Sequence, residues 1–506
     1  MRFRVSIGSL LMLLISAFYC KATHLMGSDL TYTCSNDTAT FTLKVYRDCN
    51  GVALTGTQVL NITGGAVNTN LNLTFISKRD ITPVCESKIS TCKPGGNVSY
   101  GFEEYIFRGK FFFGAAPYNS ICAWRVSWTN AARNTTITTG QAGQNFYTYT
   151  IFDRCLAPCN NAPVFSDAPV SVICQGYPQY INMSAIDTLD GGGDSLSYHL
   201  DTAWQALNVM ATYTSPFSPM APISSFVTVK IDSISGTLNL IPSVQNQQAV
   251  LVVAVKEWRK VAGTYRLISV IRRDIQVLVD YCGSNSPPIL PSIATQTVCP
   301  GSQICFTISP NDANANDSVS LRWSSNISGG TFTTAYTKPG KPYVQEGTFC
   351  WTPTNAQIKS SPYYFAVMAK DNACDFNLYS TRTYYVRVKQ QAIATINPAG
   401  PVSIISGDSV LLTATAPLAG YTYQWFRNGS IISGVSSNTY YAKQNGLYRV
   451  VINTTDNCPD TSNSVTVDYV TAISSFPYYT SFEGASPNGW TTSGTNNSCN
   501  GVHHRP

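Results

Sequence analysis

Charge is what this chain has least of: Asp, Glu, Lys and Arg together make 12% of its 506 residues, about half the share of an ordinary soluble domain. The net charge of +6 falls to about +3 without Arg2, Arg4 and Lys21 of the first 22 residues, too weak and dispersed to argue for a nucleic-acid partner. Imidazoles are nearly as scarce, with His24, His199, His503 and His504 the complete set. There is no Gly-x-Ser-x-Gly elbow, no His-Glu-x-x-His and no P-loop. Carboxylates sit in turn-like clusters without the barrel pattern that would arrange a glycosidase pair. Catalysis is therefore not expected, and no catalytic or cofactor-binding residue is assigned. Long apolar runs are missing too. The one candidate, Ile7–Phe18, falls short of the about 20 residues a membrane helix needs, so no transmembrane segment is expected.

Hydroxyls, amides and aromatic rings take the place of charge. The chain holds 29 Tyr, 35 Gly and 27 Pro, and its Val, Ile and Thr content favours strands over helices. Its length exceeds what one core organises, so three to five domains are expected. Arg2 and Arg4 precede the apolar run and small residues follow it at Cys20 and Ala22, the pattern of a secretory signal peptide over residues 1–22. Export suits the 16 cysteines, which an oxidising compartment pairs. Cys155 and Cys159 have a zinc-like spacing, but Cys174 follows without a second close pair, so disulfides are preferred to metal.

The mature part opens as a hairpin. Asp29–Cys34 and Phe41–Tyr46 alternate on either side of Ser35-Asn-Asp-Thr38, a turn cluster. Cys34 then lies opposite residue 39, and Cys49 some ten residues (about 30 Å) further along, so the two have different partners. Cys85, Cys92, Cys122 and Cys155 are the candidates. Further on, five blocks recur in one order. Cys174-Gln-Gly176 returns as Cys299-Pro-Gly301, Asp194–Leu200 as Asp317–Trp323, and Gly236–Ser243 as Gly347–Thr354. Val253–Glu257 returns as Val367–Asp371, and Arg273–Val279 as Arg382–Val388. A period of about 110 residues marks duplicated whole domains, and short strands between turn clusters describe β-sandwiches.

A third sandwich is read from Ser409–Thr415, Trp425 as its buried tryptophan, and Tyr448 as a tyrosine corner. Nothing within that module offers Cys458 a partner, so an unpaired thiol is expected there. Phe476–Gly484 with Gly489-Trp490 reads as the opening of a jelly roll cut short, leaving Cys499 unpaired. The fold class is thus all-β, tandem immunoglobulin-like sandwiches after an N-terminal β-rich, disulfide-containing domain. The expected divisions are 1–22 signal peptide, 23–160 N-terminal domain, 161–282 and 283–390 the two repeats, 391–470 a third sandwich, and 471–506 the incomplete jelly roll.

Thr23-His-Leu-Met-Gly-Ser-Asp-Leu-Thr-Tyr-Thr-Cys34, Val45-Tyr-Arg-Asp-Cys49 and Arg273-Asp-Ile-Gln276 resemble segments of large secreted, gliding-motility-associated or adhesin-like surface proteins of Bacteroidetes, as do Asp194–Tyr198 and Gly347–Thr354. Residues 391–470 resemble the immunoglobulin-like or PKD-like modules of the same proteins. The resemblance implies type IX secretion, residence at the outer cell surface, and an adhesive or stalk role. The alternative is a spacer or carbohydrate-binding arm of a glycan-handling protein whose functional domain lies beyond residue 506.

The expected partner is a surface polysaccharide or other extracellular ligand. Trp124, Trp128 and Trp258 are the rings to inspect for a sugar platform, although core packing is the commoner fate of such residues. No cofactor is required, with calcium the one candidate. Asp187, Asp190 and Asp194 cluster in one loop, Asp312 and Asp317 hold the related place in the second repeat, and Glu257 or Asp371 at a strand end adds a carboxylate. The bland alternative is that these acids only shape turns. Asp-Ser/Thr-aliphatic triplets at Asp187, Asp232 and Asp408 match a bacterial O-glycosylation acceptor, and Asn61 and Asn134 head Asn-x-Ser/Thr sites.

Overall fold

The computed structural model describes residues 24–470 apart from 55, 170–171, 188–193, 326, 360–361, 375 and 416–419. The signal-peptide, jelly-roll and Cys499 expectations, and Asp190, lie outside the described residues. The fold is all-β. Apart from two short 3-10 turns, Tyr118–Ser120 and Asn355–Gln357, every described element is a strand. By contact the chain forms two compact units. The first takes the described parts of Met1–Gln296, Ile304–Trp351 and Tyr363–Val386, and the second those of Thr297–Gln303, Thr352–Pro362 and Arg387–Pro506.

The first unit begins with the hairpin β1 (Leu25–Ser35) and β2 (Thr38–Asp48). Asn36 and Asp37 turn the chain at φ +48° and +58°, the left-handed pair that a two-residue hairpin demands. Cys34 faces Ala39, the register read from sequence. Along β2 the alternate residues Ala39, Phe41, Leu43 and Val45 are buried, each large one contributing about 1.5–3 kcal/mol.

Five more strands follow: β3 (Gln58–Gly64), β4 (Val67–Asp80), β5 (Phe102–Phe112), β6 (Ala123–Asn130) and β7 (Phe146–Asp153). They order as β1-β2-β5-β4-β3-β6-β7, and both ends meet one long strand of the first repeat, Thr264–Asp280. Gly27 of β1 faces Ile275 and Phe152 of β7 faces Ser269. The N-terminal sheet therefore closes through a strand that belongs to the next repeat. One apolar cluster runs from Leu30, Phe41 and Trp124 to Leu238, Val253 and Val277.

The boundary expected at residue 160 thus divides neither the sheet nor the core. The reason is length. Thr264–Asp280 has 17 residues, and the edge opposite its hairpin partner Gln248–Val261 serves β7, β1 and Val172–Cys174 in succession. The seam is partly ionic. Arg273 donates to both Asp29 oxygens at 2.9 and 2.5 Å and Arg133 grips Asp274 at 2.9 and 2.7 Å, while within the repeat Arg272 reaches Asp201 at 2.8 Å. Tyr46 also donates to Asp29, at 2.8 Å.

The two repeats share one register. Tyr198 faces Val255 where Leu321 faces Ala369, and Val253 faces Arg273 where Val367 faces Arg382. Across the second sheet Ile181 faces Leu238 where Phe306 faces Phe349. All but Ile181 and Phe306 lie in the aligned blocks, and those two stand at the same distance after Cys174 and Cys299. Duplication of one sandwich is thereby visible residue by residue.

In the second unit, Val402–Ile405, Val465–Val470, Gly446–Asn453, Thr422–Arg427 and Ser430–Ile431 form one sheet, opposed by Ile396–Asn397, Val410–Ala414 and Thr439–Ala442. Trp425 is fully buried and Tyr448 donates to the Gln444 carbonyl at 2.8 Å, as a tyrosine corner does.

Fourteen cysteines form seven disulfides. Cys34 and Cys49 do part company, joining Cys159 and Cys92, although Cys159 was not among the candidates. Cys458 is not a free thiol but is bonded to Cys299. The repeat explains the exchange. Cys174 bonds Cys282, and carrying the alignment of Arg273 with Arg382 forward puts Gln391 where Cys282 stands. Cys299 has thus lost the partner of its counterpart and pairs with a module beyond its repeat.

Candidate functional site

Equivalent strand pairings gather three carboxylates in each repeat. One oxygen each from Asp187, Asp194 and Glu257 lies within 4.8 Å of the others, and the same holds for Asp312, Asp317 and Asp371. In the first repeat Leu196 faces Glu257, which brings Asp194 beside it. In the second Ser320 faces Lys370, which places the chain before Ser320 against Asp371. Asp187 and Asp312 enter from the loops ahead of these strands.

The first cluster carries its own neutralisation. Glu257 is 0% exposed, and burial together with Asp187 and Asp194 pushes its carboxyl up to about 9, against a hydrogen bond from Asn160. Asn160 Nδ2 donates to Oε2 at 2.8 Å. Arg259 grips Asp194 at 2.9 Å through Nε and 2.5 Å through Nη2, and Nη2 also donates to Asn160 Oδ1 at 2.8 Å. A protonated Glu257 and a guanidinium leave little negative charge to satisfy. Arg259 was overlooked in the sequence, although residues two apart share a strand face and it follows Glu257 at that spacing.

The second cluster lacks such a partner. Asp312 and Asp371 are 1% and 2% exposed, and among the described residues no Lys or Arg forms an ion pair with any of the three acids. Lys341 donates to the main-chain oxygen of Asp312 at 2.7 Å, and where burial raises the Asp312 carboxyl its charge acts to lower it. Burial pushes Asp371 up to about 6, against hydrogen bonds from Asn285 Nδ2 (3.0 Å), Leu378 N (2.7 Å) and Ala373 N (3.1 Å). Burial also raises Asp317 and Asp312, the latter against a hydrogen bond from Asn314 N. The loop that caps Asp371 is stapled by Cys85–Cys374, and Asp371 lines a cleft of 630 Å³ with Glu86, Ser318, Lys370 and Asn377.

The other candidates disperse. Cys155 and Cys159 are bonded to Cys122 and Cys34, so they ligate no zinc. His199 is exposed, its Nε2 3.2 Å from Ser197 Oγ, and burial and Lys256 lower its pKa. Trp124 and Trp128 are core residues whose indole N–H groups are held by Ile121 O and Gln58 Oε1. Trp258 is half-buried and donates to Ser197 Oγ at 2.9 Å. Asp232 caps its own turn, accepting from Ile234 and Ser235, and Asn134 is buried beside Asp48, which closes it to glycosylation in the folded chain.

No protein-family model and no curated protein matches the sequence. Among solved structures, an I-band fragment of titin is similar over 61% of this chain and 98% of its own, at 12% identity and a TM-score of 0.23. The N-terminal four Ig domains of Dscam1 cover 88% of this chain and 100% of their own, at 11% identity and 0.20. Drosophila N-cadherin covers 69% and 83%, at 12% and 0.20. Scores and identities this low say nothing about what the chain binds.

Proposed function

We propose that this is a non-catalytic, exported surface protein, an adhesin or stalk segment that presents immunoglobulin-like sandwiches to an extracellular ligand such as a surface polysaccharide. The observation that carries the reading is the set of seven disulfides. Bonds in such number persist where no cytosolic reductant reaches them. The duplicated sandwich fits the role, because repeating one unit displaces whatever lies at its far end without new chemistry. The finer assignment, to gliding-associated surface proteins of Bacteroidetes, rests on the sequence motifs. Several of their residues have structural work here, Asp29, Tyr46, Arg273 and Asp274 all belonging to the buried ionic seam. The sugar-platform alternative loses Trp124 and Trp128 to the core.

The test is location and binding together. Intact cells of the source organism are treated with protease, and the purified oxidised chain is applied to a glycan array. Digestion at the surface supports the proposal, and a glycan hit names its ligand class. A chain protected from protease until the cells are lysed overturns it.

A further inference from the structure

We propose that Asp312, Asp317 and Asp371 form a binding site for a hard divalent cation, calcium in the extracellular setting proposed above. The cluster alone would not carry this. The second observation is an oxygen with nothing to bind. Asp312 is 1% exposed, and its Oδ2 finds no hydrogen-bond partner among the described residues while its Oδ1 accepts from Asn314 N at 2.8 Å. The Asn285 side chain adds another, since its Nδ2 donates to Asp371 at 3.0 Å and its Oδ1 is sealed from solvent without a partner. An unpaired buried carboxylate oxygen is costly to leave unsatisfied. The first repeat differs in charge rather than in this respect, since Glu257 Oε1 is also buried without a hydrogen-bond partner. There the equivalent acids have Arg259 on Asp194, whereas here the corresponding place is served by no guanidinium or ammonium ion pair among the described residues.

The donors decide the ion. Carboxylate and amide oxygens with no thiolate or imidazole suit calcium over zinc or copper, and three carboxylates plus an amide oxygen and water reach the six to eight oxygens calcium takes. Of the three acids, Asp371 lines the 630 Å³ cleft, the side from which an ion would enter. The ion would tie together the segment carrying Asn285, the loop carrying Asp312 and Asp317, and the strand end at Asp371, which the Cys85–Cys374 bond already holds.

The experiment uses the full oxidised chain, stripped with chelator and titrated calorimetrically with calcium chloride, magnesium chloride and zinc chloride in turn. One calcium per chain is expected, with magnesium weaker by at least tenfold and a melting point several degrees higher in calcium than in chelator. Asp371→Asn should weaken calcium at least tenfold. Asp317→Asn, the more exposed position, keeps the test readable if the first variant fails to fold, and Glu257→Gln should bind like the parent. Absence of heat at about 10 mM calcium, beyond the weak end of extracellular modules, overturns the site. So does unchanged binding by folded Asp317→Asn, or an equal loss in Glu257→Gln. The site depends on the export reading only for its choice of calcium, and the two fail separately. A chain found inside the cell that still binds calcium sinks the surface role alone, and a surface chain that binds none sinks the site alone.

Discussion

Removing the Asp29 carboxylate tests whether the N-terminal strands and the first repeat are one cooperative body. Asp29 accepts from Arg273 Nε at 2.9 Å, from Arg273 Nη2 at 2.5 Å and from Tyr46 Oη at 2.8 Å. Arg273 is 1% exposed, packs over the Phe165 ring at 4.1 Å, and has no route to water once its partner is gone. Breaking a buried pair from one side costs about 3–5 kcal/mol, because the surviving charge is stranded. Asp29→Asn preserves the shape and one acceptor, so the lower figure of about 3 kcal/mol is expected. Arg273→Met should cost a similar amount. The double variant should cost clearly less than the sum, since neither stranded charge remains.

The assay is urea unfolding of the oxidised chain, paired with hydrogen exchange read on peptides from 25–48 and from 248–280. A shared sheet and core require both peptides to lose protection together in Asp29→Asn. Loss confined to one peptide, or a cost under about 1 kcal/mol, the range of an exposed pair, would refute the reasoning that this strand closes the N-terminal sheet.

Three further outcomes are expected. In chelator, the folded chain keeps the Glu257 proton up to about 9 while the unfolded chain releases it near the ordinary carboxylate value. Stability attributable to this group is therefore complete below the unfolded pKa and falls as pH rises, by about 1.4 kcal/mol per unit, until the folded pKa is passed. Glu257→Gln should remove that slope, and a stability difference between parent and variant that does not change from pH 5 to 8 would contradict it. Alkylation of the unfolded but unreduced chain should label neither Cys299 nor Cys458, and replacing both with Ser should cost about 2–5 kcal/mol; a labelled Cys458 in the mass spectrum would restore the free thiol. Tyr448→Phe should lower the stability of the second unit by about 1 kcal/mol, the worth of its bond to Gln444, and an unchanged melting curve would show the corner to be idle.

Local features were the legible ones. The hairpin register at Cys34 and Ala39, the duplicated blocks, Trp425 and Tyr448 all follow from patterns within a few residues or from direct comparison of two stretches. The acidic clusters were legible as well, because the same residues recur at aligned strand ends. The merging of the N-terminal strands with the first repeat was not. Alternation reports which face of a strand is buried, not which strand sits beside it. A signal was nevertheless present: Ala249 through Val255 are apolar without a break and all buried, as a strand covered on both faces reads. Arg272, Arg273 and Asp274 hid the rest, since a run of charges suggests a solvated edge and these three are at most 1% exposed.

The cysteines show what such merging would do for a chain exported as proposed. A sandwich that opens by itself is cleaved by itself, and outside the cytoplasm no chaperone closes it again. Cys85–Cys374 joins residues 289 apart and Cys174–Cys282 spans 108, so each constrains far more than one hairpin. Chain-closure entropy rises only as the logarithm of loop length, which means these long bridges add little more per bond than short ones. Their value is in what they connect. Cys85–Cys374 ties a loop of the N-terminal sheet to the segment that caps Asp371, and Asp371 is where the proposed cation would bind. Opening at that point is limited by the disulfide, exposes two carboxylates that are 1–2% exposed, and would strip the cation if the proposed site is occupied, costs that local fraying does not ordinarily carry.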